Sequence, residues 1–153
     1  MFNISEDKKH MKSSWISALG KKNVNEKKPW GEEIKWGGFE GIHGKILLIR
    51  QGHRTSLKFH NLKSEILFIR SGEVMITYGN ECSVEDLKHN PLTTEKVGPR
   101  STFFVQSGCP YRIEAITDCE IIEIGNYMSD IPVRLEDDYG RAAKKDKDIS
   151  QSS

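Results

Sequence analysis

The chain has 153 residues, with 23 lysines or arginines against 22 aspartates or glutamates and a formal net charge of +1. This length suits one domain, and the balanced charge gives no reason to expect a nucleic-acid partner. No apolar stretch approaches the roughly 20 residues that cross a bilayer as a helix, so no membrane partner is expected. The three cysteines form no CxxC and the apolar core of a signal peptide is missing, which predicts free thiols and a cytoplasmic protein.

The two ends of the chain differ in composition from its middle. Residues 1–28 and 142–153 are polar and rich in lysine, and both are predicted to be disordered. One short apolar cluster at residues 15–19 interrupts the first segment. It could form a turn of helix that docks on a partner or on the domain predicted over residues 29–141.

Within residues 29–141, short runs of β-branched and aromatic residues alternate with turn residues. The predicted strands are 45–50, 56–60, 65–70, 74–78, 101–105, 111–116 and 119–124. The tight turn Ser71-Gly72-Glu73 predicts a hairpin over residues 64–79. Residues 80–96 are polar and turn-rich, which predicts a loop with a short strand at residues 92–95. With no helical periodicity to compete, the pattern indicates an all-β sandwich or barrel.

The spacing of five residues in this region bears on function. Gly52, Lys58, His60, Glu65 and Gly72 fall at the intervals of the first cupin motif, which they resemble. In that motif a glycine precedes two histidines one residue apart, a glutamate and a second glycine, and the resemblance implies that these ligands hold a metal inside a barrel. Here Lys58 stands in the place of the first ligand. An ammonium group has three donors and no lone pair to offer a cation.

Strand alternation gives the same side chains a common direction. Residues two apart in a strand point the same way, so Ser56, Lys58 and His60 share one face, and Glu65 joins them after a turn. The interior of a barrel is otherwise apolar, so ionisable groups that converge there need a reason. The alternative is that these four residues lie on the outer, solvent-exposed face of the barrel.

The second cupin motif matches less closely. Gly108 keeps its place in a turn, and Tyr111 stands where that motif has its histidine. A narrower resemblance covers residues 29–141. This region resembles the mannose-6-phosphate isomerase domain of bifunctional mannose-1-phosphate guanylyltransferase/isomerase enzymes and its stand-alone small cupin relatives. The matching segments are 29–31, 45–52, 56–57 and the closing Arg-Leu-Glu-Asp-Asp-Tyr-Gly-Arg at 134–141. This resemblance implies a cupin (jelly-roll) β-barrel with polar tails.

That family converts an aldose phosphate into a ketose phosphate with a divalent metal held by Gln, His, Glu and His. The matching positions here are Lys58, His60, Glu65 and Tyr111, so two of the four ligands are kept. We therefore expect no cofactor, with a Zn, Mn, Ni or Fe ion on His60 and Glu65 as the alternative. Without a metal, Lys58 paired with Glu65 would stabilise an oxyanion, His60 would act as general base, and Tyr111 would act as acid or donor.

Arginines complete the candidate site. Arg54 and Arg112 flank the two motifs, and Arg134 and Arg141 lie in the C-terminal signature. A guanidinium fork suits phosphate because it gives two parallel hydrogen bonds. The resemblance implies that an arginine of the signature binds the sugar phosphate. The alternative is that Asp137 and Arg141 tie the C-terminal segment to the barrel.

These observations predict a cytoplasmic homodimer whose partner is a small molecule, a hexose phosphate or nucleotide sugar of polysaccharide biosynthesis. The reaction would be isomerisation or epimerisation, by proton transfer between adjacent sugar carbons through an enediolate. A non-catalytic sugar-binding or regulatory cupin with a degenerate metal site is the alternative, so enzymatic activity is left open. Metal-dependent dioxygenase chemistry is a third and weaker interpretation, because iron enzymes usually need two histidines and a carboxylate.

Overall fold

The computed structural model describes residues 23–126 and 130–141. In this part of the chain, eleven strands form two antiparallel sheets, accompanied by one short helix. The elements are β1 (Val24–Lys28), β2 (Gly31–Phe39), β3 (Ile42–Ile49), β4 (Leu57–Phe59), β5 (Glu65–Ser71), β6 (Val74–Tyr78), α1 (Glu81–Glu85), β7 (Thr93–Val97), β8 (Thr102–Val105), β9 (Tyr111–Ala115), β10 (Cys119–Gly125) and β11 (Val133–Glu136).

The first sheet has the order β1-β2-β3-β10-β5-β8, and the second has the order β11-β4-β9-β6-β7. Every strand predicted from the sequence is confirmed, including the short strand near residues 92–95. The sheet begins earlier than the predicted domain, because β1 lies inside the segment 1–28 and pairs along its length with β2. Residues 1–22, with their apolar cluster, and residues 142–153 lie outside the described residues.

The hydrophobic core lies between the two sheets and follows from the alternation of each strand. Leu67 and Ile69 of β5 and Ile121 of β10 point inward from the first sheet, and all three are fully buried. Val74 of β6 and Ile113 of β9 meet them from the second sheet. Each such side chain stabilises the fold by about 1.5–3 kcal/mol through removal of apolar surface from water.

The hairpin predicted over residues 64–79 is wrong. Strand β5 pairs with β10 and β8, whereas β6 pairs with β7 and β9. The turn at residues 71–73 carries the chain from one sheet to the other. A turn signal indicates that the chain reverses but does not select the partner strand. Here the apolar faces of β5 and β6 meet across the core instead of lying side by side.

The loop predicted over residues 80–96 contains more structure than expected. Its first part is α1, which is capped by Asn80, whose side-chain oxygen accepts a hydrogen bond from the Ser83 N–H at 3.2 Å. Such a cap satisfies one of the N–H groups that a helix leaves unpaired at its start. Strand β7 follows and forms one edge of the second sheet.

The two glycines of the first motif make a matched pair for a stability test. Both have positive φ, 84° at Gly72 and 74° at Gly52. A Cβ atom on Gly72 would lie 2.4 Å from the Asp118 carbonyl oxygen, whereas one on Gly52 would have no atom within 4 Å. We expect Gly52→Ala to lower the free energy of unfolding by about 1 kcal/mol through backbone strain alone, and Gly72→Ala by at least about twice as much. Urea denaturation checks this, and equal losses would contradict the described turn.

Candidate active site

A cavity of about 370 Å³ opens between the two sheets. Among the described residues its charged lining comprises five lysines, two arginines, three glutamates and one aspartate: Lys28, Lys35, Lys45, Lys58, Lys63, Arg134, Arg141, Glu33, Glu65, Glu123 and Asp130. Ser56, His43 and His60 also line it. With both histidines neutral, the wall carries an excess of three positive charges.

Glu65, at the start of β5, is the centre of the site. One carboxylate oxygen accepts a hydrogen bond from the Tyr111 hydroxyl, and the other lies 3.3 Å from His60 Nε2 and contacts the Lys63 ammonium. Burial by itself would raise the pKa of Glu65, but the contacts with His60 and Lys63 and the more distant charge of Lys58 overcome it and hold that pKa well below its usual range. Glu65 is therefore a buried, ionised carboxylate.

The charge of Glu65 belongs to a chain of alternating charges that continues into the barrel wall. The Lys63 ammonium lies between Glu65 and Glu123, 3.5 Å from Glu123 Oε2. Lys45 lies 3.5 Å from the same oxygen and 3.0 Å from Glu33 Oε1. Burial and the neighbouring Glu65 charge raise the pKa of Glu123. Burial opposes the charge of Lys45, but Glu123 and Glu33 outweigh it and raise its pKa. We call these five residues the charge ladder.

Lys58 stands apart from the ladder. Its ammonium lies 5.2 Å from the centre of the Tyr111 ring, and within the described chain no carboxylate oxygen lies within 4 Å of it. Burial lowers the pKa of its amine to about 8, against the attraction of Glu65. The predicted ion pair between Lys58 and Glu65 is therefore wrong. Lys63, which lies in the turn between β4 and β5, contacts Glu65 instead.

The structure brings together most of the residues that the sequence indicated. Ser56, Lys58, His60 and Glu65 line the cavity, and Tyr111 lies behind Glu65 as its hydrogen-bond donor. Burial and the nearby Glu65 charge raise the pKa of Tyr111 well above its ordinary value. The phenol therefore stays protonated, and its hydrogen is donated to Glu65.

Two of the four predicted arginines lie elsewhere. A guanidinium NH₂ of Arg54 donates to Asp138 Oδ1 at 2.9 Å. Arg112 is buried, and its Nε donates to the Thr55 carbonyl oxygen at 2.8 Å. Neither lines the cavity described above, so the structure gives both a role in holding the C-terminal segment and the β4 region together.

The arginines of the C-terminal signature do reach the cavity. Arg134 lies on β11, and its buried Nε has no hydrogen-bond partner among the described residues. Arg141 also lines the cavity, and it pairs with Asp137 at 2.8 Å and packs on the Tyr139 ring. The pair between Asp137 and Arg141 therefore lies within the C-terminal segment itself, and the cavity lining is the place where Arg141 meets the barrel.

Sequence reasoning missed the charge ladder beyond Glu65. Lys45 shares the inward face of β3 with Leu47 and Ile49, and Glu123 shares the inward face of β10 with Ile121. A charged residue in register with buried apolar residues was a usable signal. No comparable signal exists for Lys63, because it lies in a turn where alternation does not apply.

The described residues do not fit the divalent metal that the first motif implies. His60 and Glu65 keep the ligand positions, but the Lys63 ammonium already contacts Glu65, and Lys58 and Tyr111 occupy the other two positions. In the described part of the chain, no three His, Cys, Asp or Glu side chains are arranged to hold an ion. A catalytic zinc usually has three protein ligands, and here a divalent ion would also meet two ammonium groups.

No protein-family model and no curated protein matches this sequence. Among solved structures, the capsular polysaccharide assembling protein CapF from Staphylococcus aureus matches with a TM-score of 0.64 at 16% identity, over 79% of this chain and 34% of CapF. Oxalate decarboxylase matches with a TM-score of 0.63 at 16% identity, over 74% of this chain and 30% of the decarboxylase. The chain has the cupin fold.

A further structure, Bacillus subtilis oxalate decarboxylase with Mn(II) centres, matches with a TM-score of 0.59 at 17% identity, over 70% of this chain and 28% of its own. This chain therefore spans about a third, or less, of the length of these proteins. At such identities the likeness concerns the fold. No helix in the described residues has the length and apolar character needed to cross a bilayer.

Removal of the Lys63 ammonium tests the charge ladder. We expect Lys63→Met to lower the free energy of unfolding at pH 7 by about 3–5 kcal/mol, because it leaves two buried carboxylates facing each other. Lys96→Met removes an exposed ion pair with Glu73 and should cost less than about 1 kcal/mol.

The loss in Lys63→Met should depend on pH. Without the ammonium, the pKa values of Glu65 and Glu123 in the folded variant rise, so the folded state binds more protons than the unfolded state. The stability of the variant relative to the wild type should therefore improve as the pH falls from about 8 to about 5. Urea denaturation across that range measures it, and a pH-independent difference would contradict the buried pairing.

Proposed function

We propose that the protein binds an anionic sugar, a hexose phosphate or a nucleotide sugar, in the cavity and isomerises or epimerises it. The observation that carries the proposal is the charge of the wall, seven lysines and arginines against four acidic residues in the described chain. A phosphate monoester brings a charge of about −1.5 to −2 at pH 7, which suits that excess. A volume of about 370 Å³ is within the usual range for small-molecule sites.

Two similarities to known proteins support a sugar as the ligand. The closing signature at residues 134–141 resembles the mannose-6-phosphate isomerase domain, and two of its arginines line the cavity. The structural match to CapF, which is named for capsular polysaccharide assembly, agrees with a carbohydrate ligand. Arg134 is the best placed to bind the anionic group, because its buried Nε has no partner within the described residues.

We infer different roles for the four central residues, Glu65, Tyr111, His60 and Lys58. Lys63 keeps Glu65 ionised, and Glu65 accepts a hydrogen bond from the Tyr111 hydroxyl. Glu65 and Tyr111 are therefore positioning groups and are poorly suited to transferring a proton. His60 lines the cavity, and Glu65 Oε1 lies 3.3 Å from its Nε2, so the carboxylate can orient the ring. His60 is the proposed general base for the proton on the sugar carbon.

Lys58 completes the proposed mechanism. Its ammonium lies on the cavity wall without a carboxylate partner among the described residues, so its N–H groups can face a ligand oxygen. A positive charge at that point stabilises the enediolate oxygen that forms when the adjacent carbon loses its proton. Proton return to the neighbouring carbon gives the isomer, and return to the opposite face of the same carbon gives the epimer.

A non-catalytic sugar-binding cupin is the second candidate function. It is favoured by the charge ladder, in which Glu65 is paired internally and the metal-ligand set of the first motif is incomplete. The same wall charge would serve a binding protein equally well. The homodimeric state, the cytoplasmic location and the place in polysaccharide biosynthesis stay predictions from the sequence.

Isotope exchange separates the two candidates. With mannose 6-phosphate in deuterated water, we expect the wild-type protein to exchange the C2 hydrogen, measured by proton NMR. His60→Asn should reduce the exchange rate by at least about 100-fold, because a positioned general base contributes roughly that much. An absence of exchange with a panel of sugar phosphates and nucleotide sugars, together with measurable binding, would favour the binding protein.

The anion-binding part of the proposal has its own matched control. Arg134→Gln should raise the Kd for mannose 6-phosphate by about 10-fold or more, because hydrogen bonds to charged groups contribute about 1.5–3 kcal/mol. Arg54→Gln removes a guanidinium that pairs with Asp138 outside the described cavity lining and should leave the Kd unchanged. Titration calorimetry measures both. Equal effects would place the phosphate elsewhere.

A further inference from the structure

The lysines of the cavity differ in their partners. Of the five in the described lining, four have a carboxylate oxygen within 4 Å: Lys28, Lys35, Lys45 and Lys63. Lys58 is the exception, and no hydrogen bond from its ammonium to another described residue is formed. A paired lysine is held by its carboxylate, whereas an unpaired amine on a cavity wall can react with what enters.

The strand that carries Lys58 fixes this amine beside an anion-binding group. Strand β4 lies between β11 and β9, and Lys58 is opposite Arg134 on one side and Tyr111 on the other. Directly opposite residues on antiparallel strands point to the same face of the sheet. Lys58 and Arg134 therefore stand side by side on the cavity wall, with the Tyr111 ring on the other side of the amine.

We propose that Lys58 forms an imine with the carbonyl group of an open-chain aldehyde or ketone that carries a phosphate, while Arg134 binds the phosphate. In the overall step the ammonium nitrogen forms a double bond to the carbonyl carbon, the carbonyl oxygen leaves as water with two of the ammonium hydrogens, and a protonated imine remains. No oxidant or reductant is needed, and the net positive charge of the wall is unchanged.

The imine deepens the proposed function and rests on it, because the cavity must admit an anionic sugar. A protonated imine withdraws electrons from the carbon–hydrogen bond next to it. Loss of that hydrogen as a proton gives a neutral enamine, which takes the place of the enediolate. Return of a proton to the opposite face of the same carbon, followed by hydrolysis of the imine, gives the epimer and frees Lys58. The ligand class becomes narrower, since only sugars whose carbonyl group is free can react.

Reductive trapping tests the inference on the full-length protein. The probe is erythrose 4-phosphate, which has a free aldehyde because its phosphate blocks ring closure at O4. Sodium cyanoborohydride then delivers hydride to the imine carbon and gives a stable secondary amine, which peptide mass spectrometry locates. We expect one adduct per chain at Lys58, formed at least about tenfold faster than at Lys63 or Lys96, since each of those amines is paired with a carboxylate, Glu65 and Glu73 respectively.

Two variants and a second ligand make the outcomes distinct. Lys58→Arg keeps the charge and Lys58→Gln removes it, and both should lose the fast adduct, with circular dichroism verifying that each is folded. Erythritol 4-phosphate, which has the phosphate but no carbonyl, should bind the wild type and Lys58→Arg in calorimetry. Binding of this alcohol without a fast adduct at Lys58 would overturn the imine and leave the proposed function standing. If the wild-type protein neither binds erythritol 4-phosphate nor forms the fast adduct at Lys58, the result would overturn both the imine and the proposed function.

Discussion

The pairing of a buried carboxylate with a buried ammonium is the interaction on which this site depends. Glu65 lies in the interior of the barrel, where an ionised carboxylate without a partner would be strongly destabilising. Lys63 contacts it and extends toward Glu123. The amine thus supplies from within the chain the positive charge that a metal ion would supply to the same carboxylate.

This internal charge determines what the neighbouring groups can do. Because Lys63 pairs with Glu65, Lys58 is left without a carboxylate partner in the described chain and faces the cavity. Because Glu65 stays ionised, it can orient His60 and accept the Tyr111 hydroxyl. The cavity wall in the described residues then keeps an excess of three positive charges, which is the basis of the proposal that it binds an anionic ligand.

Much of the fold could be predicted from the sequence, since inward and outward residues alternate in a strand and turns interrupt them. The convergence of Ser56, Lys58, His60 and Glu65 followed from the same alternation. The partner strands could not be predicted in this way, and β5 and β6 accordingly lie in different sheets although a tight turn joins them. Arg54 and Arg112 were candidate ligand-binding residues in the sequence as Arg134 was, yet they donate hydrogen bonds to Asp138 and to the Thr55 carbonyl oxygen.

The sequence by itself therefore determined the fold class, most of the strands and the common inward direction of Ser56, Lys58, His60 and Glu65, because all three depend on local pattern. Only the tertiary structure decided which lysine meets which carboxylate. Which lysine meets which carboxylate depends on distances of a few ångströms between segments far apart in the chain. Glu33 of β2, Lys45 of β3 and Glu123 of β10 meet in this way, and Lys63 of the turn before β5 joins them. Local periodicity carries no information about them, and Coulomb energies change steeply over such distances in a barrel interior.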